Sequence, residues 1–284
     1  MRILILGVSG MLGNTMIRVL SEKVDWQVYG TVRSESAKQF FHPEISKRLF
    51  SGVDVEQHDS LVDAFIQVRP HVVINCIGLI KQLADVENPL NAIPINTLLP
   101  HRLTKLCNLS GARLVHISTD CIFSGDKGYY HESDQSDAKD LYGKSKFLGE
   151  VAYPNTITLR TSIIGHELQS RHSLVDWFLS QQQHCNGYTK AIFSGLPTVV
   201  LAQIIRDVVI PHAELSGLYH VAAKPINKFD LLKLIANVYG KIINIIPDDK
   251  LVIDRSLDAT RFHLATGYIA PEWPELIQLM HTYK

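Results

Sequence analysis

Apolar residues along this chain follow two alternating rhythms. Unbroken runs such as Arg2 to Leu6, Gln27 to Val32 and His71 to Ile77 suit strands covered on both faces of a parallel sheet. Between them, apolar positions recur every three or four residues, as in Leu12, Met16, Val19 and Leu20, which predicts helices with one buried face. The same reading places the tip of a third strand at Gly52 to Val55 and a helix over Ser60 to Val68. A longer helix follows over Ala92 to Leu109, with Asn96 inside its apolar face. A strand over Arg113 to Ile117, a helix around Tyr142 to Val151 and a strand over Thr156 to Ile164 continue the βα alternation. Beyond Gly165 the rhythm weakens. Helices are predicted over Leu174 to Gln181, Val199 to Val209 and Phe229 to Tyr239, and a strand over Gly217 to Val221; Trp177, at helical spacing from Leu174 and Phe178, is assigned to the core. The expected architecture is α/β: a doubly wound parallel sheet from 1–165 with 196–223, and a smaller, discontinuous C-terminal substrate-binding domain from 166–195 with 224–284.

Composition narrows the partners. In 284 residues, Lys plus Arg equals Asp plus Glu at 28 each, so no global field draws the chain to nucleic acid or to an acidic membrane. Cys76, Cys107, Cys121 and Cys185 are scattered without C-x-x-C spacing, and the 13 histidines contain no H-E-x-x-H, so reduced thiols and no metal site are expected. The sequon Asn108-Leu109-Ser110 falls inside a predicted helix and is read as chance. With no signal-peptide layout and no apolar run of membrane-spanning length, the expected location is the cytoplasm.

The candidate chemistry begins after the first strand, at Gly7-Val8-Ser9-Gly10-Met11-Leu12-Gly13. Glycines let backbone approach a pyrophosphate, and the free N–H groups and dipole of the helix start stabilise its charge. Gly7, Ser9, Gly10, Met11, Leu12 and Gly13 are therefore candidate contacts of a dinucleotide. Twenty residues past Gly13, where a ribose-binding carboxylate commonly stands in an NAD site, there is Arg33; a cation there, with Ser34, suits a 2′-phosphate and favours NADPH over NADH. Asp54 is placed to meet the adenine amine, with Val55 beside it. Cys76, Ile77, Gly78 and Ser118, at strand ends, line the same crevice. Lys81, in the following loop with Gln82, either reaches a phosphate or sugar or is a surface lysine, and Asn96 is either a structural bracket or part of a proton relay. Tyr142 and Lys146, four residues apart on a helix, share one face; a neighbouring ammonium favours the phenolate, which lets the phenol exchange a proton with a bound ketone or alcohol. Thr119, delivered from a strand end, can hold the same oxygen.

Together, Ser118-Thr119-Asp120-Cys121-Ile122-Phe123, Tyr142-Gly143-Lys144-Ser145-Lys146, Leu159-Arg160-Thr161-Ser162, Leu196-Pro197-Thr198, Gly217-Leu218-Tyr219-His220 and Arg255-Ser256-Leu257-Asp258 follow the glycine turn. This set resembles the extended short-chain dehydrogenase/reductase family, and within it the dTDP-4-dehydrorhamnose reductase branch, nearly end to end. The resemblance implies a Rossmann-like fold with NAD(P)H across the crevice and a C-terminal lid that grips a nucleotide-diphosphate sugar. It implies that Thr119 binds the reacting oxygen, Tyr142 donates the proton, and Lys146 supports Tyr142 while contacting the nicotinamide ribose. Asn96 matches the family's helix asparagine. Asp120, Arg171 and Arg255 join Lys81 and Thr119 as candidate substrate contacts, Arg171 lying with Ser170 and His172 in a segment that departs from the rhamnose enzyme. Ile163 and Cys121 replace aromatics of that branch, which opens the identity of the sugar. The implied activity is NADPH-dependent reduction of the C4 ketone of a nucleotide-diphospho-4-keto-6-deoxyhexose by a monomer or homodimer. Two rivals come with the resemblance: a non-catalytic subunit like the methionine adenosyltransferase β subunit, and an epimerase or dehydratase that keeps NAD bound. Arg33 speaks against the last.

Overall fold

The structure is a computed structural model that describes residues 1–80, 84–169 and 173–283. Its centre is a seven-stranded sheet built from β1 (Arg2–Leu6), β2 (Gln27–Thr31), β3 (Leu49–Phe50), β4 (Val72–Asn75), β5 (Arg113–Thr119), β6 (Thr156–Thr161) and the strand Gly217–His220. From one edge the order is Gly217–His220, β6, β5, β4, β1, β2, β3, and every pairing is parallel. This is the doubly wound, Rossmann-like arrangement. The order reverses at β1, and beside that reversal the crevice at the strand C-termini opens. Ile3, Leu4, Ile5 and Leu6 are fully buried, as a strand sandwiched between helix layers requires.

Each face of the sheet has its own core. Ile3, Ile5, Val28 and Ile74 pack with the helices Met11–Leu20 and Thr198–Ile204, whereas Leu4, Leu6, Val73 and Leu114 pack with His58–Val68 and Leu99–Ser110. The alternation of sides along β1 places two apolar layers with one strand. Small sheets lie outside this frame: Ala191–Phe193 pairs with Ile226–Asn227 and Ile253–Asp254, and His184–Tyr188 pairs with Asn244–Asp248. No helix among the described residues is long and apolar enough to cross a membrane.

Three local expectations change. The third strand is Leu49–Phe50 rather than Gly52 to Val55: Gly52 has φ of +74°, which turns the chain, and Asp54 closes a turn by accepting from the Glu56 N–H at 3.0 Å. The long helix is not uniform, since a π-helical turn over Ile93–Leu98 separates Pro89–Ala92 from Leu99–Ser110. Trp177 is 38% exposed, while Val175 and Phe178 of the same helix are fully buried. On this seven-residue helix the buried stripe runs through Val175 and Phe178, three apart, and Trp177 lies off it.

Candidate functional site

The glycine turn is built for a close approach. Gly7 has φ of +82°, and a Cβ there would lie 2.6 Å from Ile77 Cγ1; a Cβ on Gly13 would overlap the Gly7 carbonyl. A Cβ on Gly10 would meet the Gly7 carbonyl oxygen at an ordinary 3.5 Å, and Gly10 starts the helix Met11–Leu20 with no side-chain cap, so the first-turn N–H groups of that helix have no internal partner. This is a cradle that fits a pyrophosphate. Arg33 is exposed just beyond the end of β2. Ser34 is exposed too, but its hydroxyl accepts from the Ser36 N–H at 3.2 Å and caps the turn Glu35–Phe40. Asp54 is half-buried and Val55 buried on the adjoining loop. Cys76, Ile77 and Gly78 follow β4, all half-buried, and burial pushes the Cys76 thiol up to about 12 against the opposing Lys146 charge.

Across the same strand ends stands a second group. Thr119 ends β5, accepts from the Cys121 N–H at 3.2 Å and donates to Asp120 Oδ1 at 3.2 Å. Asp140 caps the helix Leu141–Leu148 by accepting from the Gly143 N–H at 2.8 Å. Glycine at 143 is needed because a Cβ would run into the Cys121 carbonyl; glycine at 149 is needed because a Cβ would run into the Asn96 carbonyl. The helix is thus wedged at one end against the Thr119–Cys121 turn and at the other against the π-helical turn. Asn96, 1% exposed in that turn, accepts from the Leu79 N–H at 2.9 Å and donates to Ser145 Oγ at 3.2 Å. The result is that Tyr142 shares a hydrogen bond with the Thr119 hydroxyl.

Electrostatically, the phenol differs from the sequence expectation. Burial pushes the Tyr142 phenol above its ordinary value, and Cys121, Asp120 and Asp140 add to this against the opposing Thr119 bond. The Lys146 ammonium instead donates to the Ile117 carbonyl at 2.9 Å. Burial draws Lys146 down to about 8, opposed by the charges of Glu150 and Cys76. Tyr142 therefore keeps its proton at neutral pH, the form needed to give one to a forming alkoxide.

Ser118 supplies a hydroxyl to Glu150 Oε1 at 2.7 Å, and Glu150 is held from below by Arg160 through Nε to Oε1 and Nη2 to Oε2, each at 2.7 Å. Arg160 is 2% exposed, so this fork lies in the interior, with Glu150 within electrostatic reach of Lys146. Glu150 escaped the sequence reading, although it is four residues beyond Lys146, the spacing that was used to pair Tyr142 with Lys146; in the structure it lies just past the helix end at Leu148.

Asp120 is 7% exposed, and burial raises its carboxyl against the pull of Arg255 and hydrogen bonds from Cys121, Thr119 and Ser162. Arg255 donates through Nε to the Phe123 carbonyl at 2.7 Å and through Nη1 to Cys121 Sγ at 3.7 Å. Lys228, the first residue of the helix Lys228–Tyr239, is drawn down by burial and feels Asp120, Cys121 and Arg255. Nothing in the sequence pointed to Lys228. Of the remaining sequence candidates, Lys81 and Arg171 lie outside the described residues, as do Gln82, Ser170 and His172. Among the described residues, no three His, Cys, Asp or Glu side chains converge as metal ligands.

The fold and this crevice define an α/β protein of the Rossmann-like class, with Thr119, Tyr142 and Lys146 gathered at the end of β5. A family model described as the RmlD substrate binding domain matches residues 1–250, and the chain belongs to that family. A probable low-salt glycan biosynthesis reductase of Haloferax volcanii is 29% identical over 163 residues, 56% of this chain and 52% of that protein. The chain thus spans about half the length of that curated relative. The methionine adenosyltransferase 2 subunit beta of Danio rerio is 24% identical over 84% of this chain and 74% of its own. Among solved structures, a dTDP-4-dehydrorhamnose reductase of Bacillus anthracis in complex with NADP superposes with a TM-score of 0.79 at 21% identity, covering 100% of this chain and 99% of that one.

Proposed function

We propose that the protein is an NADPH-dependent reductase of the C4 ketone of a nucleotide-diphospho-4-keto-6-deoxyhexose, dTDP- or UDP-linked and open to an N-acetylated sugar. The observation that carries this reading is the convergence of Thr119, Tyr142 and Lys146 at the end of β5, beside an uncapped glycine turn. NADPH, when bound, supplies the hydride. Gly7 to Gly13 would hold its pyrophosphate, Arg33 its 2′-phosphate, and Lys146 its nicotinamide ribose. Thr119 orients the ketone oxygen, Tyr142 protonates it, and the buried surroundings strengthen both hydrogen bonds. The elements outside the large sheet, from 166–195 and 224–284, would close over the sugar nucleotide. The family membership and the likeness to sugar-nucleotide reductases support the same reading.

The deciding experiment is a panel of dTDP-, UDP- and GDP-4-keto-6-deoxy sugars assayed for NADPH oxidation, with NMR of the product. Stoichiometric NADPH loss with one of them is expected; no loss with any would end the assignment. The likeness to methionine adenosyltransferase 2 subunit beta favours a second reading, a non-catalytic binding subunit. Co-purification with an unrelated enzyme together with an inert panel would support that instead.

Two further results are expected. Arg33→Ala should weaken NADPH by roughly tenfold to a hundredfold through loss of a charge-assisted contact, and leave NADH within about twofold. Paired fluorescence titrations with the two nucleotides measure this. Equal weakening of both would remove Arg33 from the 2′-phosphate. The second concerns pH. Lys146 is charged below about 8 and loses its proton above it. Since the charged form is the one that supports Tyr142, kcat/KM for reduction should hold at neutral pH and fall on an alkaline limb near 8. A flat profile up to pH 10 would contradict this role.

A further inference from the structure

Away from the crevice, we infer that a cavity between the helix Met11–Leu20, the 165–168 loop and the C-terminal helix Trp273–Thr282 is a binding site for a small zwitterion of the α-amino acid kind. The cavity measures about 140 Å3. Asn14 and Arg18 line it from the first helix, Glu167 and Leu168 from the loop, Thr198 from the start of its own helix and Met280 from the C-terminal one. None of its described lining residues belongs to the Thr119, Tyr142 and Lys146 group.

The Asn14 amide carries the inference. Asn14 is 7% exposed, and among the described residues no hydrogen bond reaches its side chain, although a carboxamide offers two donors and an acceptor. A buried polar group without a partner costs stability. Leucine has nearly the same shape and would carry no such cost, so the amide is explained by a partner that arrives from outside the chain. The hydroxyls beside it are already arranged. Thr15 donates to the Met11 carbonyl at 3.2 Å, so Thr198 donates to Thr15 Oγ1 at 3.1 Å and keeps its own oxygen as an acceptor. His166 has both ring nitrogens engaged, with Asp176 Oδ1 at 2.9 Å and the Tyr239 hydroxyl at 2.8 Å, so it shapes the wall.

Charge fixes the class of ligand. Arg18, four residues on from Asn14 and thus on the same helix face, brings one cation, its guanidinium carbon 4.7 Å from the centre of the Tyr283 ring. Glu167 brings one anion, its Oε2 accepting from the Ser173 N–H at 2.9 Å. A bare anion would meet Glu167, and a bare cation would meet Arg18. A zwitterion answers both: its carboxylate accepts from Asn14 and Arg18, its ammonium donates to Glu167 and the Thr198 oxygen, and a short side chain lies on Leu168 and Met280. A water needs roughly 10–15 Å3 of such space, so the cavity admits about ten non-hydrogen atoms, the size of a small amino acid.

The test is calorimetric titration and thermal unfolding of the whole protein with glycine, alanine, serine and threonine, each beside its N-acetyl form, which has no ammonium, and its amide, which has no carboxylate. At least one of the four should bind with a Kd of about 1 mM or tighter. Its two blocked forms should bind at least about tenfold more weakly, through loss of a charge-assisted contact. Asn14→Leu should weaken the amino acid by roughly tenfold to a hundredfold, yet leave the Tm without ligand equal to or above that of the wild type, because the orphaned amide is gone. Glu167→Gln should weaken the amino acid and leave its N-acetyl form unchanged. No binding of any of the four at about 10 mM, or blocked forms that bind as well as the free amino acid, overturns the site. So does a Tm lowered by Asn14→Leu in the absence of ligand, which would make Asn14 a structural bracket. None of these readouts involves ketone turnover, so the reductase reading stands or falls separately.

Discussion

Tyr142→Phe should lower kcat for ketone reduction by about a thousandfold while leaving NADPH affinity within about twofold. The expectation follows from how the phenol is held. The half-buried phenol reaches the Thr119 hydroxyl through its own oxygen, so phenylalanine fits the same space and the fold is kept. Only the hydroxyl is lost, and with it the proton that must reach the oxygen as the carbonyl becomes an alkoxide. A positioned general acid contributes about 10^2- to 10^4-fold. Thr119 remains, but its single proton, directed at Asp120 Oδ1 at 3.2 Å without substrate, has to turn to the ketone oxygen to hold it, and a hydroxyl of ordinary acidity is a poor proton donor. NADPH oxidation at saturating ketone, together with a fluorescence titration of the nucleotide, separates the two effects. Turnover near wild type would sink Tyr142 as the donor.

Glu150→Gln is the second large effect, and it acts on stability as well as on chemistry. Glu150 takes both arms of the Arg160 fork at 2.7 Å, plus the Ser118 hydroxyl, in a region where Arg160 is 2% exposed. Breaking a buried pair from one side leaves an uncompensated charge and costs roughly 3–5 kcal/mol. For a protein of this size that corresponds to a Tm lower by roughly 10 °C. Adding Arg160→Met should recover part of the loss, because the stranded charge is then gone. Glu150 also opposes the fall of Lys146, so without it the alkaline limb of turnover should move below about 8. Thermal unfolding of the single and double variants, with a pH profile of the single one, measures both consequences. An unchanged Tm would mean that the pair is solvated.

How much of this was legible in the sequence depends on the distance over which each feature is determined. β1, the glycine turn and the helix Met11–Leu20 are fixed within twenty residues, by an apolar run, by the φ of +82° at Gly7 and by the close backbone approach at Gly13, and they came through nearly to the residue. Tyr142 and Lys146 were legible because one helical turn sets their relation. The third strand was misplaced by a few residues because it has only two, Leu49–Phe50, too short for any period. Asn96 was noted, yet the π-helical turn around it reflects what the turn packs against, including the backbone at Gly149, rather than its own sequence. Lys228 and Glu150 were missed for related reasons. A lysine opening a helix resembles any solvated lysine until the fold brings it within electrostatic reach of Asp120, and Glu150 matters through Arg160, which arrives from the next strand.

The position of β1 in the sheet has a consequence for how the protein comes into being. β1 is flanked by β2 on one side and β4 on the other, and all four of Ile3 to Leu6 end up fully buried. During synthesis β2 follows soon after, but the β4 edge of β1 waits until residues 72–75 have been made. At about 5–20 residues per second, that interval lasts roughly 3–13 s. Through it a strand with four fully buried apolar residues in a row carries an unpaired edge, which makes it a segment where a ribosome-associated chaperone would be needed.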